Sequence, residues 1–542
     1  MKSWLALVAA ALPAFTAASG LTWPSQYDEF EEVMFLQAGY ARRGLVDGVN
    51  PCSTVAGGTR QQSSAWVRTV FHDMITHDAE AGTGGLDASL LFEMDRPENA
   101  GALSFNETYA FLMTSYSSEL SMADLTALGM YVTIANCGGT RLQMRAGRVD
   151  ATEAGPSGVP EPTHDTETMV ARFAKAGMNV TEMVASVACG HSLGGIHGND
   201  FPQITGPGRQ NDTDFLLFDS TGTNFDNKVV TEYLAGNTSN LLVVGPEETN
   251  SDKRVFLADR NATINALASP QTFSSMCASV FERMMDTVPS SVKLSDPIEP
   301  YQIKPTTPKL TLTPGGNITF DGSIRVRITD RDTSNLDSMV LTMPYTDRDG
   351  KSCDGCTIQT TPARFQGGFG GGFGESFKFF EFSASLPASS SISNFKVNIQ
   401  EPDSDLEVHD NNGVGFPLDD RIIPLEDQSC INGDSDSSKW NMTIVAAVRD
   451  ELAEEPLALE VIVKTPRQGV IVPALVKQTV QMEQWAAAAK TAGYTLFKGT
   501  YDIPIDSLST SFNVVSGEGE GEARKDFTKT GVLLSTECKP WA

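Results

Sequence analysis

The sequence predicts a two-part protein, a mainly α-helical N-terminal domain followed by a β-rich, sandwich-like C-terminal domain. Three observations predict it. Residues 25 to about 290 carry helix signals one after another. The texture then changes at a stretch with four prolines, 297–308. Beyond it come Thr-rich segments of alternating polarity, broken by Pro, Gly and Asp-Gly turns, which is the period-two pattern of half-buried strands.

In the first half, Ser121 stands as an N-cap before Met122-Ala123-Asp124-Leu125, and the apolar pattern runs to Ala135 before Cys137-Gly138-Gly139 stops it. A second helix is expected to start at a Thr181 cap, carry Glu182 in its first turn and end at Gly194-Gly195. In the second half, strands are expected over 309–313, 324–328, 377–382, 395–399, 441–448 and 457–463, forming one sandwich or two small ones. The segment Gly367–Gly374 reads as a flexible loop and Gln478–Gly493 as a lone helix. The expected organisation is a leader over 1–20, the helical domain over 21–296, a linker over 297–308 and the β-rich domain over 309–542.

A chain of 542 residues has room for two or three domains with sizeable cores, and 40% hydrophobic with 20% charged residues is ordinary globular composition. The net charge of −28 opposes nucleic acid or an anionic membrane surface as partner. The first residues have the form of a secretory signal: Lys2, an apolar run from Trp4 to Phe15, then Ala17-Ala18-Ser19-Gly20. That run is too short to span a bilayer and no second one follows, so an extracellular protein without a transmembrane segment is expected. Sequons at Asn106, Asn179, Asn211, Asn237, Asn261, Asn317 and Asn441 agree with secretion. Eight cysteines suggest disulfides, with Cys189 read as a buried thiol in an apolar helix. Cys353-Asp354-Gly355-Cys356 reads as a small structural disulfide in preference to a redox or metal pair.

The richest stretch is Arg68-Thr69-Val70-Phe71-His72-Asp73. On a helix Arg68 and His72 share one face. Alone, such a pair is more often a solvated helix face. Peroxide heterolysis needs both groups, a base to move the proton between the peroxide oxygens and a fixed cation to stabilise the charge that develops. His191 falls on the apolar stripe Val184, Val187, Ala188, His191, where a lone histidine is ordinarily a core residue.

These segments resemble the plant, fungal and bacterial haem peroxidase superfamily, over roughly residues 40–290. Arg68–Asp73 is similar to its distal helix, and Ala188-Cys189-Gly190-His191-Ser192-Leu193-Gly194 to its proximal motif. The resemblance implies haem b held by His191, His72 as distal acid/base, Arg68 as the stabilising cation, and Phe71 against the haem. Glu98-Asn99-Ala100-Gly101 resembles the distal asparagine segment, with Asn99 accepting the Nδ1 proton of His72. Gly84–Ser89 looks like the distal calcium loop, which implies Asp73, Gly85, Asp87 and Ser89 as oxygen ligands. Phe218–Asp226 looks like the second calcium loop, which implies Ser192, Asp219, Thr221, Asn224 and Asp226. Two Ca²⁺ ions are therefore expected beside the haem. Asp259, in Arg254-Val255-Phe256-Leu257-Ala258-Asp259, is the expected carboxylate partner of His191. His197 matches a haem-propionate contact, and Cys52–Cys137 is the expected disulfide.

The mixture resembles the secreted fungal hybrid-type peroxidases. Gly147–Asp150, Asn99-Ala100-Gly101 and His197 look toward the intracellular branch, whereas Phe71, Phe218 and both calcium loops look toward the secreted one. Where manganese peroxidases carry their acids this chain has Gln61, Ala65 and His197, and Ser186 stands where lignin peroxidases place a surface tryptophan. Hydrogen peroxide and a small, phenol-like reductant are the expected substrates. The rival expectation is a cell-wall or partner-binding protein whose β-rich half does the binding and whose helical half is vestigial. A third keeps the haem but turns it to peroxide scavenging or oxygen transfer.

Overall fold

A computed structural model of the chain describes residues 21–56, 60–211, 215–402, 404–434, 436–486, 490–517, 519–534 and 537–541. The expected leader lies outside the described residues. The helices are α1 (Asp28–Phe35), α2 (Gln62–Met74), α3 (Ala102–Leu112), α4 (Met122–Asn136), α5 (Thr166–Lys175), α6 (Val180–Gly190), α7 (Pro202–Thr205), α8 (Lys228–Ala235), α9 (Leu241–Val244), α10 (Ser251–Leu257), α11 (Ala262–Leu267) and α12 (Pro270–Met285). Helix α4 is the axis of this half. Residues 122–134 are all buried, as expected of a helix that is apolar all round. Ser121 caps it, its hydroxyl accepting from the Asp124 N–H at 3.0 Å. Helices α2 and α3 pack against it, with Trp66 of α2 fully buried.

The cap of α6 differs from the expected Thr181. Asn179 accepts from the Glu182 N–H (3.0 Å) while the Glu182 carboxylate accepts from the Asn179 N–H (2.8 Å). This reciprocal box satisfies two end donors where a single hydroxyl would satisfy one. Cys189 is also not a free thiol. It is bonded to Cys277, which ties α6 to α12; the other bridges are Cys52–Cys137, Cys353–Cys356 and Cys430–Cys538.

The β-rich half is two sandwiches. In the first, a sheet whose main strands are Ile303–Leu312, Asn317–Arg327 and Glu375–Pro387 faces one built on Val340–Thr346 and Val397–Gln400. Phe320, Ile324, Val326, Phe382, Phe395 and Phe416 fill the space between. In the second, Lys439–Arg449 and Tyr494–Pro504 lie in one sheet, and Leu457–Arg467, Val470–Gln481, Ser511–Ser516 and Ala523–Lys529 in the other. Ile444, Val448, Leu459, Val461 and Val514 form that core.

Three sequence expectations change here. The second half of the proposed linker 297–308, from Ile303 on, is part of the strand Ile303–Leu312. Its prolines are tolerated because the strand is at a sheet edge, and the pairing register shifts between Thr306 and Lys309 in a bulge that absorbs Pro308. The proposed helix 478–493 instead begins as the end of strand Val470–Gln481, paired to 458–467, followed by the short strand Glu483–Gln484. The glycine-rich loop contains a strand, Phe369–Gly372, that pairs with Ala38–Gly39 of the helical half. A Cβ at Gly39 (φ +83°) would stand 2.2 Å from the Phe369 carbonyl oxygen, so only glycine permits this junction.

The two halves therefore share a buried boundary. Phe377, Phe379 and Val472 belong to the same core as the helices. At its centre Glu31 of α1 is fully buried and pairs with both Arg325 and Lys304 of the first sandwich, the latter at 3.1 Å. Burial alone would raise the Glu31 pKa, but Arg325 and then Lys304 outweigh it and hold the carboxyl below its usual range. Among the described residues no helix is long and apolar enough to cross a membrane.

Candidate active site

A cavity of about 1600 Å³, its mouth to solvent included, lies between α2 and α6. One wall carries Arg68, Phe71 and His72; the other carries Val187, His191, Leu193 and Phe218. Both histidines sit near helix ends: His72 in the last turn of α2, His191 at the C-cap of α6.

On the α2 side, His72 Nδ1 and Asn99 Oδ1 are 2.8 Å apart. The Asn99 amide cannot face the other way, because its Nδ2 donates to the Glu93 carbonyl at 3.0 Å. Asn99 therefore accepts, Nδ1 holds the proton, and Nε2 is the lone-pair nitrogen. Burial, and then the Arg68 cation, push the His72 pKa well below 6.5, so the ring is neutral at ordinary pH. Arg68 donates to the Ala100 carbonyl (2.6 Å) and Ser104 Oγ (3.2 Å), with its guanidinium 4.4 Å from the centre of the Phe105 ring. Burial lowers its pKa to about 10, which leaves it a cation. In the lining of the same cavity Arg60 Nη2 donates to both carboxylate oxygens of Asp200, at 2.8 and 2.7 Å.

On the α6 side, the His191 and Phe218 rings stack face to face, 4.2 Å between centres and 14° apart in plane. The carboxylate on His191 Nδ1 is Asp252, at 2.9 Å, and not the expected Asp259. Asp252 is 1% exposed in the first turn of α10, on a buried face with Val255 and Phe256. Asp259 lies beyond the end of that helix and accepts from the Thr263 N–H, starting α11. The two acids are seven residues apart, two helical turns, so a registration error between them keeps the apolar spacing intact. The signal that separates them is the stripe Asp252, Val255, Phe256 at i, i+3, i+4, which buries the first acid. Were His191 to hold a metal, Asp252→Ala would be expected to cost ~10–100-fold in metal retention or in any activity that depends on it. Asp259→Ala should leave both near wild type, which a titration with the metal porphyrin checks. Sequence reading also missed Asn240, whose side chain donates to Asp252.

The remaining expected positions fall as follows. His197 lines the cavity, stacked on Phe215 at 4.6 Å. In the distal loop the buried Asp73 carboxylate accepts from the N–H groups of Asp87, Ala88 and Leu90, and the Gly85 carbonyl from the Asp87 N–H. Ser89 Oγ is buried there without a well-formed hydrogen bond. Burial, and then the neighbouring Asp87, push Asp73 well above the usual carboxylate range. In the second loop Thr221 Oγ1 donates to Asp226 (3.0 Å), and the Thr221 N–H to Asp219 (2.8 Å). Asp219 Oδ2 is buried without a partner, and burial pushes this carboxyl up to about 6. The Asn224 N–H donates to the Thr221 carbonyl, while Ser192 Oγ donates to the Cys189 carbonyl at 2.7 Å.

The helical domain thus brings two histidines, each with its Nδ1 hydrogen-bonded, to the lining of one largely apolar cavity. Comparison with known proteins agrees. The Peroxidase family profile matches residues 52–269. A WSC domain-containing protein of Arthroderma benhamiae is 39% identical over 527 residues, 96% of this chain and 69% of that protein. L-ascorbate peroxidase 5, peroxisomal, of Arabidopsis thaliana is 29% identical over 203 residues, 36% of this chain and 67% of that protein. Manganese peroxidase 2 of Phlebia radiata is 32% identical over 188 residues, 33% of this chain and 45% of that protein. The chain belongs to the plant, fungal and bacterial haem peroxidase superfamily, with its peroxidase domain in the helical half and a strand-rich region after it.

Proposed function

We propose that the protein is a secreted haem peroxidase that reduces hydrogen peroxide and oxidises small, phenol-like donors in one-electron steps. The observation that carries this is the oriented pair of histidines across one cavity, with Arg68 beside the first and Asp252 behind the second. The residues suit haem: His191 has Nδ1 engaged and Nε2 available, and Phe71, Val187, Leu193 and Phe218 supply apolar walls. A haem held there would supply the iron that takes up peroxide and the oxidising equivalents that pass to donors.

The protein's own part is acid/base and electrostatic. His72 Nε2 takes the proton from one peroxide oxygen and gives it to the other, which leaves as water. Arg68 stabilises the negative charge that builds on the leaving oxygen. Asn99 keeps the ring in the required tautomer, and Asp252 fixes the direction of His191. Oxidation of a phenol by the haem-loaded protein and peroxide tests the reading. Consumption of peroxide with the phenol untouched would overturn the donor assignment.

The His72 environment sets the pH dependence. The base must be neutral, and its pKa is depressed, so the acid limb of the peroxide reaction should fall well below pH 6.5. A limb at or above 6.5 in single-turnover measurements would contradict that environment.

The two loops are proposed as calcium sites, on Asp73, Gly85, Asp87 and Ser89, and on Ser192, Asp219, Thr221, Asn224 and Asp226. Their hard oxygen donors, and the unpartnered Ser89 Oγ and Asp219 Oδ2, support this. Calcium chelation should lower thermal stability, by about 2.7 kcal/mol per site occupied at a hundredfold excess over Kd. Restored calcium should return it; a melting temperature indifferent to both would rule the sites out. Passage to an oxidising compartment is supported by the leader, the sequons and the four disulfides. The rival reading of a vestigial scaffold with a wall-binding β-rich half is weaker, because Arg68, His72, Asn99, His191 and Asp252 are all in place.

A further inference from the structure

We infer that Asn240 is a positioning residue that limits how strongly His191 donates to a bound iron, an inference that rests on the haem reading above. Asn240 is 1% exposed at the start of α9. Its Nδ2 donates to Asp252 Oδ2 at 2.8 Å, the same oxygen that faces His191 Nδ1 at 2.9 Å. The amide is locked in this orientation, because its Oδ1 accepts from the Leu242 N–H at 2.9 Å. The Asn240 N–H is held in turn by Thr238 Oγ1 at 3.1 Å.

The physical consequence follows from one oxygen serving two donors. A carboxylate that receives only the imidazole N–H draws that proton strongly and makes the ring a more basic ligand. A second N–H on the same oxygen stabilises the negative carboxylate and weakens its pull on the imidazole proton. Phe218, the ring stacked on His191, has no polar hydrogen to offer, so the second donor on Asp252 comes from α9. Asn240 also prevents the carboxylate from rotating about its bond to the helix. It therefore acts through Asp252, without touching the cavity contents.

The test reads the iron–histidine bond and not turnover. Asn240→Thr keeps an oxygen that can cap Leu242 but is too short to reach Asp252; Asn240→Ser is a second such substitution if the first does not fold. In the ferrous, haem-loaded protein, the iron–histidine stretching band should move to higher frequency and the haem midpoint potential should fall. Asn240→Thr in an Asp252→Ala background should add no further shift. An unmoved band and potential, a shift in the opposite direction, or an equal shift without Asp252 would each overturn the inference. Wild-type protein that takes up no haem would overturn the underlying reading along with it, whereas haem bound with an unmoved band overturns the role of Asn240 alone.

Discussion

Replacing His72 by leucine is expected to slow the reaction of the haem-loaded protein with hydrogen peroxide by about 10²–10⁴-fold, the usual range for losing a positioned acid/base group. Leucine keeps the bulk against Phe105, whose ring centre is 4.9 Å from that of His72, so the cavity wall should survive. Haem uptake should also survive, because the proposed ligand is His191 on the opposite wall. Arg68 remains in this variant, so charge stabilisation is kept and proton transfer alone is lost. Stopped-flow mixing with peroxide gives the rate, and a rate equal to wild type would remove His72 from the mechanism.

The second large effect is on stability. Glu31→Ala should cost about 3–5 kcal/mol, the range for breaking a buried ion pair from one side. The substitution leaves Arg325, whose side chain is 0% exposed, and Lys304, at 2%, side by side on adjacent strands with the carboxylate they share removed. Asp28 and Glu32 still reach Lys304, at 3.6 and 3.2 Å, but neither pairs with Arg325. Because α1 supplies the carboxylate and the first sandwich supplies both cations, the loss should loosen the union of the two halves. Urea unfolding followed by a helix-sensitive and a sheet-sensitive signal distinguishes this. Coincident transitions in wild type that separate in Glu31→Ala are expected; a cost under about 1 kcal/mol would show that the cluster is not coupled to docking.

What the sequence made legible was local. Arg68, His72 and Asp73 lie within two turns of one helix, so their relation follows from helical periodicity. Asn99 reaches His72 across 27 residues, yet its short motif identifies it. The partner of His191 was not legible to the same degree, because two acids two turns apart both keep the apolar spacing and only burial separates Asp252 from Asp259. Asn240 left no motif at all: its role depends on the fold of α9 against α10.

The β-rich half shows the same limit. Alternation placed most strands, but Pro305 and Pro308 read as a linker because nothing local reveals that a strand will lie at a sheet edge with a bulge. The stretch Gln478–Gly493 reads as a lone helix, while pairing with 458–461 makes Gln478–Gln481 a strand. The docking of the halves, through Glu31, Phe377, Phe379 and the 38–39 pairing, is a long-range outcome that only the fold shows.

In the proposed reading this cavity holds a haem on His191 and presents peroxide to His72. The visible spectrum of the purified full-length chain after haem supply, recorded before and after hydrogen peroxide, tests it most directly. The expected result is a Soret band of histidine-ligated haem that peroxide changes within the mixing time and that His191→Ala alters or abolishes. A chain that gains no such band, or keeps an identical one in His191→Ala, would contradict it.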